Sequence, residues 1–229
     1  IHLSARTDAG LLHAVQSLRQ LLPASAGPAY RVPRLAITDV PAYRWRGLSL
    51  DVARSFLPVD YLERHIDRMA LFKLNRLHLH LTDDQGWRIE IKRHPRLVEI
   101  GGASAVQSGR AGYYTQAQLR HLVAYAQARG VTLVPEIDMP GHVQAALASY
   151  NALACDDVAN RGTYAGVEVG FSVLCLDKPE VVYPFVRDVL EEVAAIFPSN
   201  EIHIGGDEIR HPLYADFVAR TAAMVDAMG

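Results

Sequence analysis

Two hydrophobic periods alternate along this chain from Arg44 onward. Short runs that switch between apolar and polar positions, such as Leu77-His78-Leu79-His80-Leu81, give way to longer stretches with apolar residues three and four apart. The first period is that of a strand and the second that of a helix with one apolar face. On this pattern residues 48–52 form a first strand, and 59–73 a helix with apolar positions at 59, 62, 66, 69 and 70. Residues 77–81 form a second strand. Thr115 with Gln118 is a capping-box signal, followed by apolar 119, 122, 123 and 126 and a stop at Gly130. Residues 131–134 make a third strand, Pro179 opens a helix with apolar positions at 182, 185, 186, 189, 190, 193 and 197, and 202–204 make a fourth strand. Upstream, Leu11, Val15, Leu18 and Leu22 predict a short amphipathic helix, and the Pro/Ala/Gly-rich stretch 23–33 a linker.

The order βαβαβαβ predicts a parallel sheet, and its apolar strands suggest burial on both faces. No G-x-G-x-x-G turn follows the first strand, which argues against a dinucleotide fold. The long connections 84–115 and 139–179 place insertions on one face. That asymmetry suits a (β/α)8 barrel, whose site lies at the C-terminal strand ends, although four strands make only half of one.

Composition narrows the partners. The chain has 229 residues, half of them hydrophobic, and a net charge of −2 without a basic stripe, so nucleic acid and anionic membrane are poor guesses. No apolar run reaches the length of a membrane span. No signal peptide opens the chain at Ile1, and the native start is expected upstream. The only two cysteines, Cys155 and Cys175, flank a loop rich in Gly, Asp and Val; free thiols and a disulfide are about equally compatible with the sequence.

The chemistry concentrates at the strand ends. The first strand ends in Asp51 and Arg54, the second in Asp83 and Asp84, the third in Glu136, Asp138 and His142, and the fourth in Asp207 and Glu208. One acidic strand end is routine; four in register imply a charged pocket for a polar ligand. Arg54 offers a planar fork for hydroxyls or a carboxylate, though a lone Arg is more often a surface ion pair. His142 suits a proton relay, or a simple cap after Pro140-Gly141. His78 and His80 share one side of their strand, where an H-x-H can hold a metal. With no third histidine or cysteine at ligand spacing, hydrogen-bonded interior histidines are favoured and no metal or cofactor is expected. Trp45 and Trp87 could stack on a sugar, but a single Trp is more often core.

Four segments occur in order: R-G-L-S-L-D-V-A-R at 46–54, L-H-L-H-L-T-D-D-Q-G-W at 77–87, P-E-I-D-M-P-G-H at 135–142 and H-I-G-G-D-E at 203–208. Together they resemble the family 20 glycoside hydrolases, the β-N-acetylhexosaminidases. The resemblance implies residues 1–43 as the tail of a small accessory α/β domain plus linker, and 44–229 as the first half of the barrel. It implies removal of terminal β-linked N-acetylglucosamine or N-acetylgalactosamine from an oligosaccharide or glycoconjugate, chitin fragments among them. The mechanism implied is retaining and substrate-assisted, through an oxazolinium formed by the sugar's own acetamido oxygen. By position, Glu208 would be the general acid/base and Asp207 would orient the acetamido group. Arg54 would hold sugar hydroxyls, Asp83 and His142 would lead to Glu208, and Asp84 and Asp138 would support the pocket. Ser55 stands where such enzymes usually carry a histidine, and the tryptophans and tyrosine/aspartate pair that wall their acetamido pocket have no counterpart here. The chain is therefore expected to be a fragment that is poorly stable or self-associating alone, from a secreted, periplasmic or cell-surface protein. Two rivals remain: a glycan-binding barrel fragment without turnover, and a metal-dependent hydrolase using His78, His80, His142 and Asp207.

An ionised Asp207 beside Glu208 disfavours a second negative charge and keeps the acid protonated. Activity is expected to peak at mildly acidic pH, and a profile of kcat/KM that is flat from acid to neutral would contradict this.

Overall fold

A computed structural model describes residues 1–23, 29, 31–155 and 162–228. The core of the fold is a parallel sheet of order β1-β2-β5, formed by β1 (Gly47–Asp51), β2 (Arg76–His80) and β5 (Thr132–Glu136). Its register puts Ser49, His78 and Val134 in one row and Asp51, His80 and Glu136 in the row two residues on. Neighbours in a parallel row share a face, so all six point to the same side. Leu77, Leu79 and Leu133 point to the other and are buried.

That second face is covered by two helices whose apolar stripes the spacing announced. Helix α2 (Val59–Leu71) buries Leu62, Ile66, Met69 and Ala70, and α4 (Gln116–Gln127) buries Leu119, Leu122, Val123 and Ala126. The predicted capping box is present in both directions: Thr115 Oγ1 accepts from Gln118 N–H at 3.2 Å, and Gln118 Oε1 accepts from Thr115 N–H at 2.9 Å. Gly130 ends the turn at φ 72°, a conformation other residues rarely adopt. Helix α6 (Pro179–Ala194) starts with Pro at its first position and buries Val182, Phe185, Val186, Val189, Leu190 and Val193. Helix α1 (Asp8–Leu21) is capped by Thr7 and lies against α2, with Gln20 donating to the Leu71 carbonyl at 2.7 Å. Of the linker 23–33, residues 24–28 and 30 lie outside the described residues.

Three expectations change. The fourth strand does not form as a ladder. Residues 202–204 join β5 through an isolated parallel bridge at His203, with His203 N–H donating to Pro135 and Met139 N–H to Ile204. This segment has a partner on one side only, and the chain turns away at Gly205 and Gly206, with φ 67° and 108°. Burial on both faces also fails: β1 is largely exposed, being an edge strand, and the inner face of the sheet opens onto a cavity of about 300 Å³ lined by Trp45, Leu48, His78, Ile202 and His203. Finally, helix α7 (Tyr214–Asp226) follows the last strand end, where no element was predicted although Tyr214, Phe217, Val218, Thr221, Met224 and Val225 recur at helical spacing; Phe217 is buried under Tyr183 of α6, ring centroids 6.0 Å apart.

Long connections carry their own structure. A two-residue hairpin, β3 (Thr82–Asp83) with β4 (Gly86–Trp87), sits directly beyond β2, and the short helices α3 (Arg96–Glu99) and α5 (Gln144–Ser149) pack beside it. Trp87 is core, 2% exposed, with its indole N–H on the Ile89 carbonyl at 2.8 Å, whereas Trp45 is half exposed. Arg88, fully buried, ties the loops together without a carboxylate partner. Its guanidinium donates to the carbonyls of Val52, Ala53, Gly102, Gly112 and Ser104 at 2.6 to 3.2 Å. Burial draws its pKa down to about 10, so it remains charged at neutral pH.

Arg88→Met is therefore expected to strand several buried carbonyls at once and cost at least about 3 kcal/mol, read as a fall in the urea midpoint. Arg88→Lys is expected to recover little of it, because three donors on a flexible stem do not match five fixed ones. A midpoint unchanged in Arg88→Met would refute this account of the loops.

Candidate active site

The C-terminal strand ends bring most of the predicted residues into one connected network. Its hub is Asp83, 1% exposed on the hairpin beyond β2. Asp83 Oδ2 lies 2.8 Å from Arg54 Nη2 and 2.8 Å from His80 Nε2, and its Oδ1 accepts Asp84 N–H at 2.6 Å and lies 3.3 Å from His142 Nδ1. Arg54 uses its other terminal nitrogen on Asp51 at 2.9 Å. Asp51 in turn caps the turn after β1, accepting from the N–H groups of Ala53 and Arg54. Arg54 is thus fixed from behind, with about a third of its side chain still open to solvent.

His142 links the hub to the predicted acid. Its Nδ1 faces Asp83 and Asp84, the latter at 3.4 Å, and its Nε2 lies 3.3 Å from Glu208 Oε2. The contact with the two aspartates is one of charge more than of aligned hydrogen bonding, since His142 Nδ1 and Asp84 Oδ2 are buried without a hydrogen-bond partner among the described residues. Those two carboxylates raise the pKa of His142 over the opposing effect of burial. Asp84 Oδ1 is occupied structurally, accepting from Gln144 N–H at 3.0 Å and from the Ser172 hydroxyl.

Both ends of the His142–Glu208 contact are conformationally unusual. His142 has φ 54° and Glu208 φ 59°, left-handed values that cost non-glycine residues on the order of 1 kcal/mol and tend to be retained at functional sites. The turn before Glu208 needs its glycines. A Cβ on Gly205 would sit 1.7 Å from Asp138 Oδ1, and one on Gly206 would sit 2.6 Å from the Tyr214 hydroxyl. With these side chains absent, Gly206 N–H reaches Asp138 Oδ1 at 3.1 Å and Tyr214 donates to the Gly206 carbonyl at 2.9 Å. Burial pushes the Asp138 carboxyl up to about 6 against that one N–H contact. Asp207 and Glu208 themselves are exposed, and the Asp207 side chain makes no hydrogen bond or ion pair among the described residues.

The interior histidines are hydrogen bonded, as favoured from the sequence. Glu136 Oε2 lies 2.7 Å from both His78 Nε2 and His80 Nδ1, and its Oε1 lies 3.1 Å from His203 Nδ1. Burial opposes ionisation of Glu136, but its three imidazoles overcome it and hold the group well below the carboxylate range. Burial likewise opposes charge on His80, yet its contacts to Asp83 and Glu136 lift it to about 10. Donor atoms of His78/Glu136/His203, His80/Glu136/Asp138 and Asp83/Asp84/His142 are close enough to surround a cation, but the first two sets are already imidazole–carboxylate pairs. The set His78, His80, His142 and Asp207 is not brought together.

Two groups were underread in the sequence. Glu136 anchors three histidines, and its registration with His80 across β2 and β5 is the signal that would have found it. Arg88, one residue past the Gly86-Trp87 motif, carries no such signal, because nothing in the sequence tells a buried Arg from a surface one. Cys155 and Cys175 form a disulfide that ties the end of the α5 region to the stretch before α6, and six residues of the enclosed loop, 156–161, lie outside the described residues. A cavity of about 300 Å³ lies lower on the inner face of the sheet, away from this network, and Asp207 and Glu208 are themselves exposed.

The chain is similar to a family of known proteins. Residues 43–226 match the model for the glycosyl hydrolase family 20 catalytic domain, and residues 1–40 that for domain 2 of the same family. The β-N-acetylhexosaminidase of Cellulomonas fimi is 44% identical over all of this chain and 46% of its own length. The N,N'-diacetylchitobiase of Vibrio harveyi is 32% identical over 92% of this chain and 28% of its own. Among solved structures, the N-acetyl-β-hexosaminidase of Streptomyces plicatus in complex with Thio-NAglucal superposes with a TM-score of 0.92 and 50% identity, over 98% of this chain and 46% of that one. The chain spans about half the length, or less, of these relatives. Its parallel sheet and flanking helices are the corresponding part of the barrel fold they share.

The charge pattern fixes the pH response of stability. His80 is raised, so its contribution is complete below about 6.5 and is lost as pH climbs toward 10. Asp83 and Glu136 are lowered, so theirs is present above the ordinary carboxylate range and is lost in acid. Asp138, raised to about 6, works against stability as it ionises between 3.8 and 6. Thermal stability is expected to be greatest near pH 5–6.5 and to decline from pH 7 to 10, by up to about 1.4 kcal/mol per pH unit for each group. In His80→Gln the alkaline decline should shrink; a wild-type melting temperature constant to pH 10 would contradict the assignment.

Proposed function

The chain belongs to glycosyl hydrolase family 20, and from that membership we propose that it carries the acid side of the active site of a β-N-acetylhexosaminidase. The observation that carries the reading is the continuous line Arg54–Asp83–His142–Glu208, in which a fork suited to sugar hydroxyls and the imidazole that faces the predicted acid share one buried counter-ion. The substrate class is an oligosaccharide or glycoconjugate ending in β-linked N-acetylglucosamine or N-acetylgalactosamine.

In this reading Arg54 binds hydroxyls of the terminal sugar. Asp207, free of protein partners, accepts a hydrogen bond from the acetamido N–H and turns the amide oxygen toward the anomeric carbon. Glu208 donates its proton to the glycosidic oxygen as that bond breaks, and the acetamido oxygen bonds to the anomeric carbon from the opposite face. The positive charge of the oxazolinium is stabilised by the Asp207 carboxylate. Glu208, now ionised, takes a proton from water as the water opens the ring, so configuration is retained and the acid is restored. His142 holds Glu208 in place during both transfers. The exposure of Glu208 and Asp207 suits an exo-acting site that admits a chain end.

A division into an accessory tail over residues 1–43 and a barrel portion over 44–229 goes with this reading, the break coinciding with the exposed stretch before β1. The Cys155–Cys175 disulfide supports an oxidising location, secreted, periplasmic or at the cell surface. The open inner face of the sheet supports self-association of the 229-residue chain. A second reading, sugar binding without turnover, is favoured by one observation: Asp207 and Glu208 stand at a rim that no other described element walls.

Hydrolysis of a chromogenic N-acetyl-β-glucosaminide by this chain separates the two. Any turnover is expected to fall about a hundredfold or more in Glu208→Gln and comparably in Asp207→Asn. A folded chain that binds N-acetylglucosamine but gives no product, with or without Glu208, would give this chain the binding reading.

A further inference from the structure

We propose that His80, braced by Glu136, is a positioning residue for the reaction read above: it fixes the Asp83 carboxylate so that one group serves the sugar-facing Arg54 and the acid's partner His142 together. The proposal rests on that reading for its consequence in catalysis, but its geometry stands apart from it.

Besides the Asp84 N–H of its own turn at 2.6 Å, the Asp83 carboxylate has three side-chain contacts, and they differ in exposure and alignment. Arg54 is about a third exposed, and His142 lies 3.3 Å from Oδ1 without hydrogen-bond alignment. His80 is 13% exposed and within 2.8 Å of Oδ2, the same oxygen that Arg54 uses. Its second nitrogen is held by Glu136 Oε2 at 2.7 Å, and Glu136 is itself fixed by His78 and His203. The imidazole is thus gripped from β5 and grips the hairpin in turn, which makes it the pivot on which the Asp83 carboxylate is set.

Charge carries the effect further. Both ring nitrogens of His80 face carboxylates, which only accept, so the ring bears two protons and is cationic. That charge offsets part of Asp83 and lessens its pull on His142. The charged groups around this pair are Glu136 and Asp138 from β5 and the turn beyond it, Asp83 and Asp84 from the hairpin, Arg54 from the turn after β1, and Glu208 beyond His142. Without His80 that offset is gone, and the Asp83 carboxylate pulls more strongly on the His142 imidazole.

The test uses the 229-residue chain with 15N-labelled histidine, comparing wild type, His80→Ala, His80→Gln and a surface control, His121→Gln. The His142 ring signals, assigned by their loss in His142→Gln, are expected to move in both His80 variants and not in the control. In kinetics on the chromogenic substrate, His80→Ala is expected to raise KM and lower kcat/KM about tenfold. His80→Gln can still hydrogen bond, so it should recover KM while the His142 ring signals stay displaced, a split that a merely structural role would not produce. Unmoved His142 signals in the folded Gln variant overturn the proposal. If wild type and Glu208→Gln are equally inactive, the reaction reading fails, while the ring signals still decide whether His80 positions Asp83.

Discussion

A carboxylate buried without partners costs several kcal/mol, and Asp83 is all but fully buried, so the chain must bring cations to it. It does so from three directions: Arg54 from the turn after β1, His80 from β2, and His142 from the loop beyond β5. Each of those directions requires a neighbouring strand in register, because only a parallel sheet delivers successive C-terminal ends to one rim. The packing of leucines against α2 and α4 on the far face is therefore what makes the polar rim affordable. Loosen the sheet, and the buried charge loses its partners.

Beneath the rim, two devices keep the loops from drifting. Arg88 gathers five carbonyls from the turn after β1, the 101–104 turn and the 112 loop, so the segments around Arg54 are fastened by backbone contacts independent of any substrate. Gly205 and Gly206 allow the chain to press against Asp138 and Tyr214, and the left-handed backbone at Glu208 then aims the carboxyl at His142. The network thus runs from a rigid interior at Glu136 to an exposed end at Glu208. Exposure rises at the end that would meet a sugar, as a site that must hold its base firmly and still admit a ligand requires.

Much of this was legible from the chain. Strands 48–52 and 77–81, the Thr115–Gln118 cap, the Gly130 stop and the Pro179 helix start all follow from local stereochemistry, and each forms within a residue or two of its predicted place. The motif order pointed to the family and to Arg54, Asp83, Asp84, Asp138, His142, Asp207 and Glu208 as a set. The structure brings Arg54, Asp83, Asp84, His142 and Glu208 into one line of charge contacts, with Asp138 beside it holding the Gly206 turn. Most of the misses have one character. The irregular fourth strand, the exposed face of β1 and the keystone role of Arg88 all depend on what lies on the other side of a segment, which no local pattern reports; helix α7, by contrast, has a helical apolar period of its own.

The sequence by itself determined the elements and the chemistry offered at their ends, because hydrophobic period, caps and turn residues act over only a few neighbours. The tertiary structure alone decided which of those groups are charged and what they hold. Whether Asp83 is a solvated acid or a hub, whether His80 carries one proton or two, and whether Cys155 and Cys175 are joined depend on distances between residues far apart in the chain. Coulomb interaction and desolvation depend on those distances and on burial, and both are fixed only when the sheet closes its register.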